Sequence, residues 1–139
     1  MANIYVRSTD GNNADNGSTW ARAKATVAGA LAIAVAGDTI YVSQVHAESQ
    51  ATSMTLTSAG TAAAPIKIIC VEDSAEPPTT VATTGSVTTT GTSNLVVNGW
   101  LYVYGLSFNA ASGAVAATLQ INVATGGVLQ VYERCLLRM

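Results

Sequence analysis

The sequence predicts an all-β chain built as a coiled stack of short strands, with one helix near its N-terminus. Three observations carry that expectation. Short β-prone runs recur from Ile40 onward, separated by clusters of Gly, Asn, Ser and Thr. Tight two-residue hairpin turns are nearly missing, with Asn98-Gly99 the one candidate between strands and Asn16-Gly17 falling in an N-terminal loop. A helical apolar period is confined to one segment. Coils that cannot bury their apolar faces alone stack and share a core, which accounts for short strands without hairpin chemistry. A two-sheet sandwich is the alternative.

The elements follow in order. Ile4-Tyr5-Val6-Arg7-Ser8 is a strand, rich in β-branched and aromatic residues. It runs into Thr9 to Ser18, whose Gly, Asn and Asp residues suit turns. Thr26 is placed as a helix N-cap, Val27, Leu31 and Val35 form a narrow apolar stripe, and Gly37 supplies a left-handed residue at the helix end. Ile40-Tyr41-Val42-Ser43 is the next strand. Further strands are expected at Met54–Thr57, Ile66–Val71, Leu95–Val97, Leu101–Tyr104, Leu106–Phe108, Leu119–Val123 and Val128–Tyr132.

Composition bounds the function. A chain of 139 residues is one domain, long enough to bury a core without staples. Lys+Arg 6 against Asp+Glu 8 gives a net charge of −2, which excludes a strongly basic nucleic-acid binder. The longest apolar run, Ala28 to Gly37, stops at Asp38, far short of the roughly 20 residues of a membrane span. The start, Met1-Ala2-Asn3-Ile4-Tyr5, lacks the basic and apolar regions of a secretory signal, so synthesis in a reducing cytoplasm is expected. Cys70 and Cys135 each sit in an apolar run and are expected as small buried hydrophobes rather than a disulfide framework.

Four stretches carry a resemblance. They are Trp20-Ala21-Arg22-Ala23-Lys24-Ala25-Thr26 with Gly37-Asp38-Thr39-Ile40-Tyr41-Val42 beyond the helix; Ala62-Ala63-Ala64-Pro65-Ile66-Lys67-Ile68-Ile69; Asn98-Gly99-Trp100 through Gly105-Leu106-Ser107-Phe108; and Gly127 through Leu137. Together they resemble right-handed parallel β-helix proteins of the pectate-lyase-like superfamily, of the kind found in phage virion and bacterial surface proteins. The resemblance implies a short right-handed parallel β-helix, or solenoid, with an N-terminal capping α-helix near 27–36. Residues 1–43 would form the strand, loop and cap, and 44–139 about four to six coils of roughly 20–25 residues each, within a single domain. It also implies an inward Leu106 and Phe108 at a Gly105 corner and an inward Cys135. The sequence departs from the family after Val42, where Gln44-Val45-His46-Ala47-Glu48 lacks a glycine and places His46 at a customary tyrosine. The family hosts lyases, hydrolases, adhesins and viral spikes, so the likeness is nearly silent on activity.

The chemistry-bearing residues point away from an enzyme. Hydrolysis of a glycosidic bond needs two carboxylates across it, and lyase chemistry needs a base with a cation or metal. From Pro77 to Met139 the acidic residue is Glu133, and the other charges are Arg134 and Arg138. Asp10, Asp15, Asp38, Glu48, Glu72, Asp73 and Glu76 lie in the cap, turns and one loop. The Asp10 to Gly17 loop fails the EF-hand spacing, with Ala14 at a ligand position, and an Asx-rich turn accounts for it. His46 lies near Ser43 and Glu48 without a nucleophile-elbow pattern, and neither Gly126-Gly127 nor Gly11 has phosphate-loop spacing. No catalytic residue, metal or cofactor is expected.

Interaction residues are expected instead. Trp100, Tyr102 and Tyr104 alternate and share one face, which is either outward, as a stripe for a partner protein or sugar rings, or inward as core. Leu101 and Val103 suit a narrow core better, so the aromatics are placed outward. Leu136-Leu137-Arg138 lack a recognisable C-terminal cap, so either a longer protein was cut or another molecule covers that end. The expectation is a non-enzymatic structural or assembly protein of a phage virion: a capsid decoration, fibre or tail component located in the virion and assembled in the host cytoplasm. Its partners would be other virion proteins or copies of itself, with a surface glycan possible and neither nucleic acid nor membrane involved. The alternative is the N-terminal part of a carbohydrate-binding or carbohydrate-cleaving tailspike or adhesin.

Overall fold

A computed structural model describes residues 1–112, 117–122 and 129–139 of the chain. The strands are β1 (Asn3–Val6), β2 (Thr39–Ser43), β3 (Ala47–Gln50), β4 (Met54–Thr57), β5 (Ile66–Val71), β6 (Ser86–Thr90), β7 (Leu95–Asn98), β8 (Leu101–Tyr104), β9 (Ser107–Ser112), β10 (Leu119–Asn122), β11 (Gln130–Glu133) and β12 (Leu136–Arg138). Helix is confined to α1 (Val27–Leu31) and a single 3-10 turn at Trp20–Arg22 among the described residues.

The strands form three sheets, and none of them closes on itself. The first has order β1-β2-β5-β8-β11, the second β12-β9-β6-β3, and the third β10-β7-β4. Every pairing between these strands is parallel. From β2 onward the chain visits first, second and third sheet in turn and then returns to the first. Each strand therefore pairs with one a whole circuit away, and the connections between sheets need no hairpin. Gly99, in the one candidate hairpin turn, has φ +88 and joins β7 to β8, which belong to different sheets. The chain is thus all-β with parallel sheets.

Alternation within strands builds the core. Ile4, Ile40, Ile68, Val103 and Tyr132 stand opposite one another across the first sheet. Met54, Leu95 and Leu119 do so in the third sheet, beside Leu56, Val97 and Ile121. Val87, Phe108 and Leu137 form a column in the second. One hydrophobic cluster runs through these residues from Ile4 to Ala110. It includes β1 and β2, so the boundary placed at residue 43 does not divide the packing. Each buried Ile, Leu or Val contributes about 1.5–3 kcal/mol. Leu106 and Phe108 are fully buried beyond Gly105, whose φ is +74 and whose missing Cβ leaves room for the Ala82 carbonyl.

The helix is shorter than expected. Thr26 is its N-cap, with Oγ1 accepting from Gly29 N at 2.9 Å, but the α-helix ends at Leu31 and Val35 is 62% exposed. The buried positions are Val27, Ala30, Leu31 and Ala34, the i, i+3, i+4, i+7 pattern of a helical face. A residue at i+8 drifts about 80° off that face, which is why the Val27, Leu31, Val35 stripe failed. The Asp38 carboxylate then accepts from Val35 N at 3.0 Å and from Ala2 N at 2.6 Å, tying the turn to the start of the chain. Gly37 adopts the expected left-handed conformation, φ +86, in this turn rather than at the helix end.

Three strands, β3, β6 and β12, are not among those the sequence predicts. β3 and β6 are mostly Ala, Ser, Thr, Glu and Gln, with Glu48, Val87 and Thr89 their buried residues. Residues Val123, Gly126, Gly127 and Val128 lie outside the described residues, so the expected strands there are seen as β10 and β11. Cys70 is fully buried and Cys135 partly so; both thiols are free.

Candidate functional site

The outer face of the first sheet carries two rows of side chains. One row is Thr39, Lys67, Tyr102 and Val131, and the other is Tyr5, Tyr41, Ile69, Tyr104 and Glu133. In β8 the inward residues Leu101 and Val103 are buried, which leaves Tyr102 and Tyr104 half-exposed on the outer face. Trp100, just before β8, is half-exposed as well, and its carbonyl accepts from Ser58 Oγ at 2.8 Å.

Loops cover one half of this face. Tyr5, Trp20, Ala23 and Val71 form a second small cluster outside the sheet, with Tyr41 and Ile69 packed against it. The Trp20 ring meets Tyr5 edge-on at 4.8 Å, donates from Nε1 to the Ala75 carbonyl at 2.9 Å, and lies under the Arg7 guanidinium at 5.7 Å. Trp20 N donates to Glu76 Oε2 at 2.8 Å. The two loops are bound to the sheet through Asp73. Its Oδ2 accepts from Ser43 Oγ at 2.7 Å and from Arg7 Nη1 at 3.3 Å, and its Oδ1 accepts from Gln44 Nε2 at 3.1 Å. Burial alone would push this carboxyl up, but those hydrogen bonds outweigh it and hold Asp73 below the ordinary aspartate range.

Among the described residues, the face of β8 and β11 and the Lys67 end of β5 carry no such cluster. Tyr102 Oη donates to Glu133 Oε2 at 2.7 Å, a bond that pushes the phenol above its ordinary range. Lys67 is exposed beside Tyr102 and enters no ion pair among the described residues.

Asp38, Asp10 and Glu48 are committed to structure. Asp38 sits below its usual range, chiefly through the Val35 N–H bond. Asp10 pairs with Arg7 at 2.6 Å. Glu48 points inward from β3, its Oε2 accepting from Val27 N at 2.9 Å and its Oε1 from Gln50 Nε2 at 3.0 Å. His46 is buried with Nε2 3.4 Å from Glu48 Oε2, and neither ring nitrogen makes a hydrogen bond among the described residues. Ser43, His46 and Glu48 are therefore not a nucleophilic triad, because the Ser43 hydroxyl is turned to Asp73. No cluster of three or more His, Cys, Asp or Glu side chains is gathered among the described residues, and no helix there is long and apolar enough to cross a membrane.

The far edge of the stack carries the other expected interaction residues. Leu136 and Leu137 are 41% and 43% exposed, and Arg138 is exposed beside them. Leu137 lies opposite the buried Phe108, so it extends an inward column, and Leu129 and Val131 are exposed nearby. The structure places Tyr102 and Tyr104 on the outer sheet face, Trp100 just before that strand, and Leu136, Leu137 and Arg138 on β12, in a different sheet. Lys67, Ile69, Val131 and Glu133 join the aromatic stripe without having been singled out in the sequence. The missing signal is register: successive strands of the first sheet are offset by 28 residues (Thr39 to Lys67), 35 (Ile66 to Leu101) and 29 (Leu101 to Gln130).

Comparison of the chain with protein-family models, curated proteins and solved structures finds no match.

Proposed function

We propose that the chain is a non-enzymatic structural protein, a short right-handed parallel β-helix that packs against other subunits of a phage virion as a decoration, fibre or tail component. The observation that carries this reading is the aromatic pair Tyr102 and Tyr104 on the outer sheet face, with Leu101 and Val103 buried behind it and the half-exposed Trp100 just before the strand. Large amphipathic rings on a rigid strand suit a protein contact, where aromatic residues supply most of the binding energy. The cyclic passage through three parallel sheets supports the β-helix. A chain with 10% charged residues lowers the repulsion between neighbouring copies, which favours dense packing. The acids bonded to Arg7, Ser43, Val27 and Val35 are positioned for folding rather than for a substrate.

The test is mass spectrometry of purified virus particles from the host that carries the gene. Peptides of this chain are expected in amounts comparable to other particle proteins, and incorporation falls when Trp100, Tyr102 and Tyr104 are all replaced by Ala. Particles lacking the chain, or unchanged incorporation of the triple variant, overturn the reading. The alternative, a carbohydrate-active spike, draws on the same stripe as a sugar platform; release of oligosaccharides from a surface glycan by the purified chain would favour it.

A further inference from the structure

We infer that the open half of the first sheet's outer face docks a second copy of this chain through a twofold contact centred on β8. The inference rests on the assembly reading and names the partner at that surface. The outer face there is three strands wide, with the aromatic pair Tyr102 and Tyr104 on the middle strand, β8. Its two charges stand on opposite flanks: Lys67 on β5 and Glu133 on β11.

That placement is self-complementary. A twofold axis lying between the two faces and parallel to β8 sets β8 against its own copy and exchanges the flanks. β5 of each subunit then faces β11 of the other, as an isologous contact requires. Lys67 lies in the row of Tyr102 and Val131, and Glu133 in the row of Ile69 and Tyr104, two residues further along the strand. That step is about 7 Å, within reach of a lysine stem. Each Lys67 thus meets Glu133 of the partner subunit, and the pair forms twice. Glu133 is prepared for it: Oε2 is taken by the Tyr102 hydroxyl, which orients the carboxylate and leaves its other oxygen for a cation. Lys67 has no ion-pair partner of its own among the described residues. The loop cluster over Tyr5 and Tyr41 also takes in Val71 and packs on Ile69, so the contact is confined to β8, β11 and the Lys67 end of β5.

Three strands present less than the roughly 800 Å² per partner of a standard interface, so the association is weak in solution and gains strength where many copies are held side by side. The test is sedimentation velocity of the full chain from about 10 to 500 μM, a range suited to weak dimers. Wild type is expected to pass from monomer to dimer. Lys67→Glu and Glu133→Lys each place like charges face to face at two sites and should raise the dissociation constant about tenfold or more. The double variant Lys67→Glu/Glu133→Lys restores opposite charges and should return to within about threefold of wild type, a rescue that a role within one subunit does not give. Tyr102→Phe separates loss of the hydroxyl bond from loss of the charge. A monomer at every concentration, single reversals without effect, or no recovery in the double variant overturns the inference. A monomeric chain still found in virus particles sinks the twofold contact and leaves the assembly reading standing. A chain that dimerises yet is missing from particles does the reverse.

Discussion

Tyr5, Tyr41 and Tyr104 stand in one outward row of the same sheet, yet the row is core at one end and surface at the other. Tyr5 is 3% exposed beneath Trp20, while Tyr104 is half-exposed. The strand alternation that turns these residues outward is the same in both halves. What differs is the layer that Arg7, Trp20, Asp73 and Glu76 fasten over β1, β2 and the Ile69 to Val71 end of β5. Burial on this face is decided by loop anchoring, not by the strands.

The largest effect that would break the contrast is loss of the anchor. Trp20→Ala removes the ring over Tyr5 together with its bond to the Ala75 carbonyl, and should cost about 3 kcal/mol or more in urea unfolding, as large core truncations do. Tyr104→Ala on the open half should cost about 1 kcal/mol or less. Equal costs would mean that the two halves are alike after all.

The acid limb of stability is next. Asp73 and Asp38 both sit below the ordinary range, so their contribution is fully present above the unfolded value of about 3.9 and is lost as pH falls through their folded values. Stability should therefore drop steadily below about pH 4, and Asp73→Asn should be less stable at neutral pH with a shallower acid decline. Thermal unfolding between acid and neutral pH checks both. An undiminished acid limb in Asp73→Asn would assign the decline to other carboxyls.

The smallest effects belong to the open half. Glu133→Gln should leave unfolding within about 0.5 kcal/mol of wild type, as exposed substitutions do. It should nonetheless shift the ultraviolet titration of one tyrosine to lower pH, because the Tyr102 hydroxyl loses its carboxylate acceptor. Tyr102→Phe should abolish that shifted component. A titration indifferent to both changes would place the Tyr102 hydroxyl elsewhere.

How much of this was legible depended on which physics each feature obeys. β4, β5 and β8 coincide with their expected bounds because Met54-Thr55-Leu56-Thr57, Ile66–Val71 and Leu101–Tyr104 bury alternate apolar residues almost throughout, a local signal. The outward placement of Tyr102 and Tyr104 followed from the same alternation. β3 and β6 were hidden because their ladder bonds are made with strands a circuit away, while their own residues are polar. α1 was overextended because Val35 was chosen where Ala30 and Ala34 complete the buried face. The meeting of Lys67 and Glu133 with the stripe could not be read at all, since circuits of unequal length erase any fixed spacing.

Glu48 bears on how such a chain can change length over evolutionary time. It stands opposite Val87, in the same column as Phe108 and Leu137, but its carboxylate is spent on Val27 N beneath the helix. A duplication that inserts a circuit after β3 extends a column of apolar neighbours and disturbs nothing before it. An insertion on the other side would part the carboxylate from the helix it holds and strand a charge in the core. Circuits can thus be added beyond β3 without disturbing the bond between Glu48 and Val27 N, whereas one added before it would break that bond.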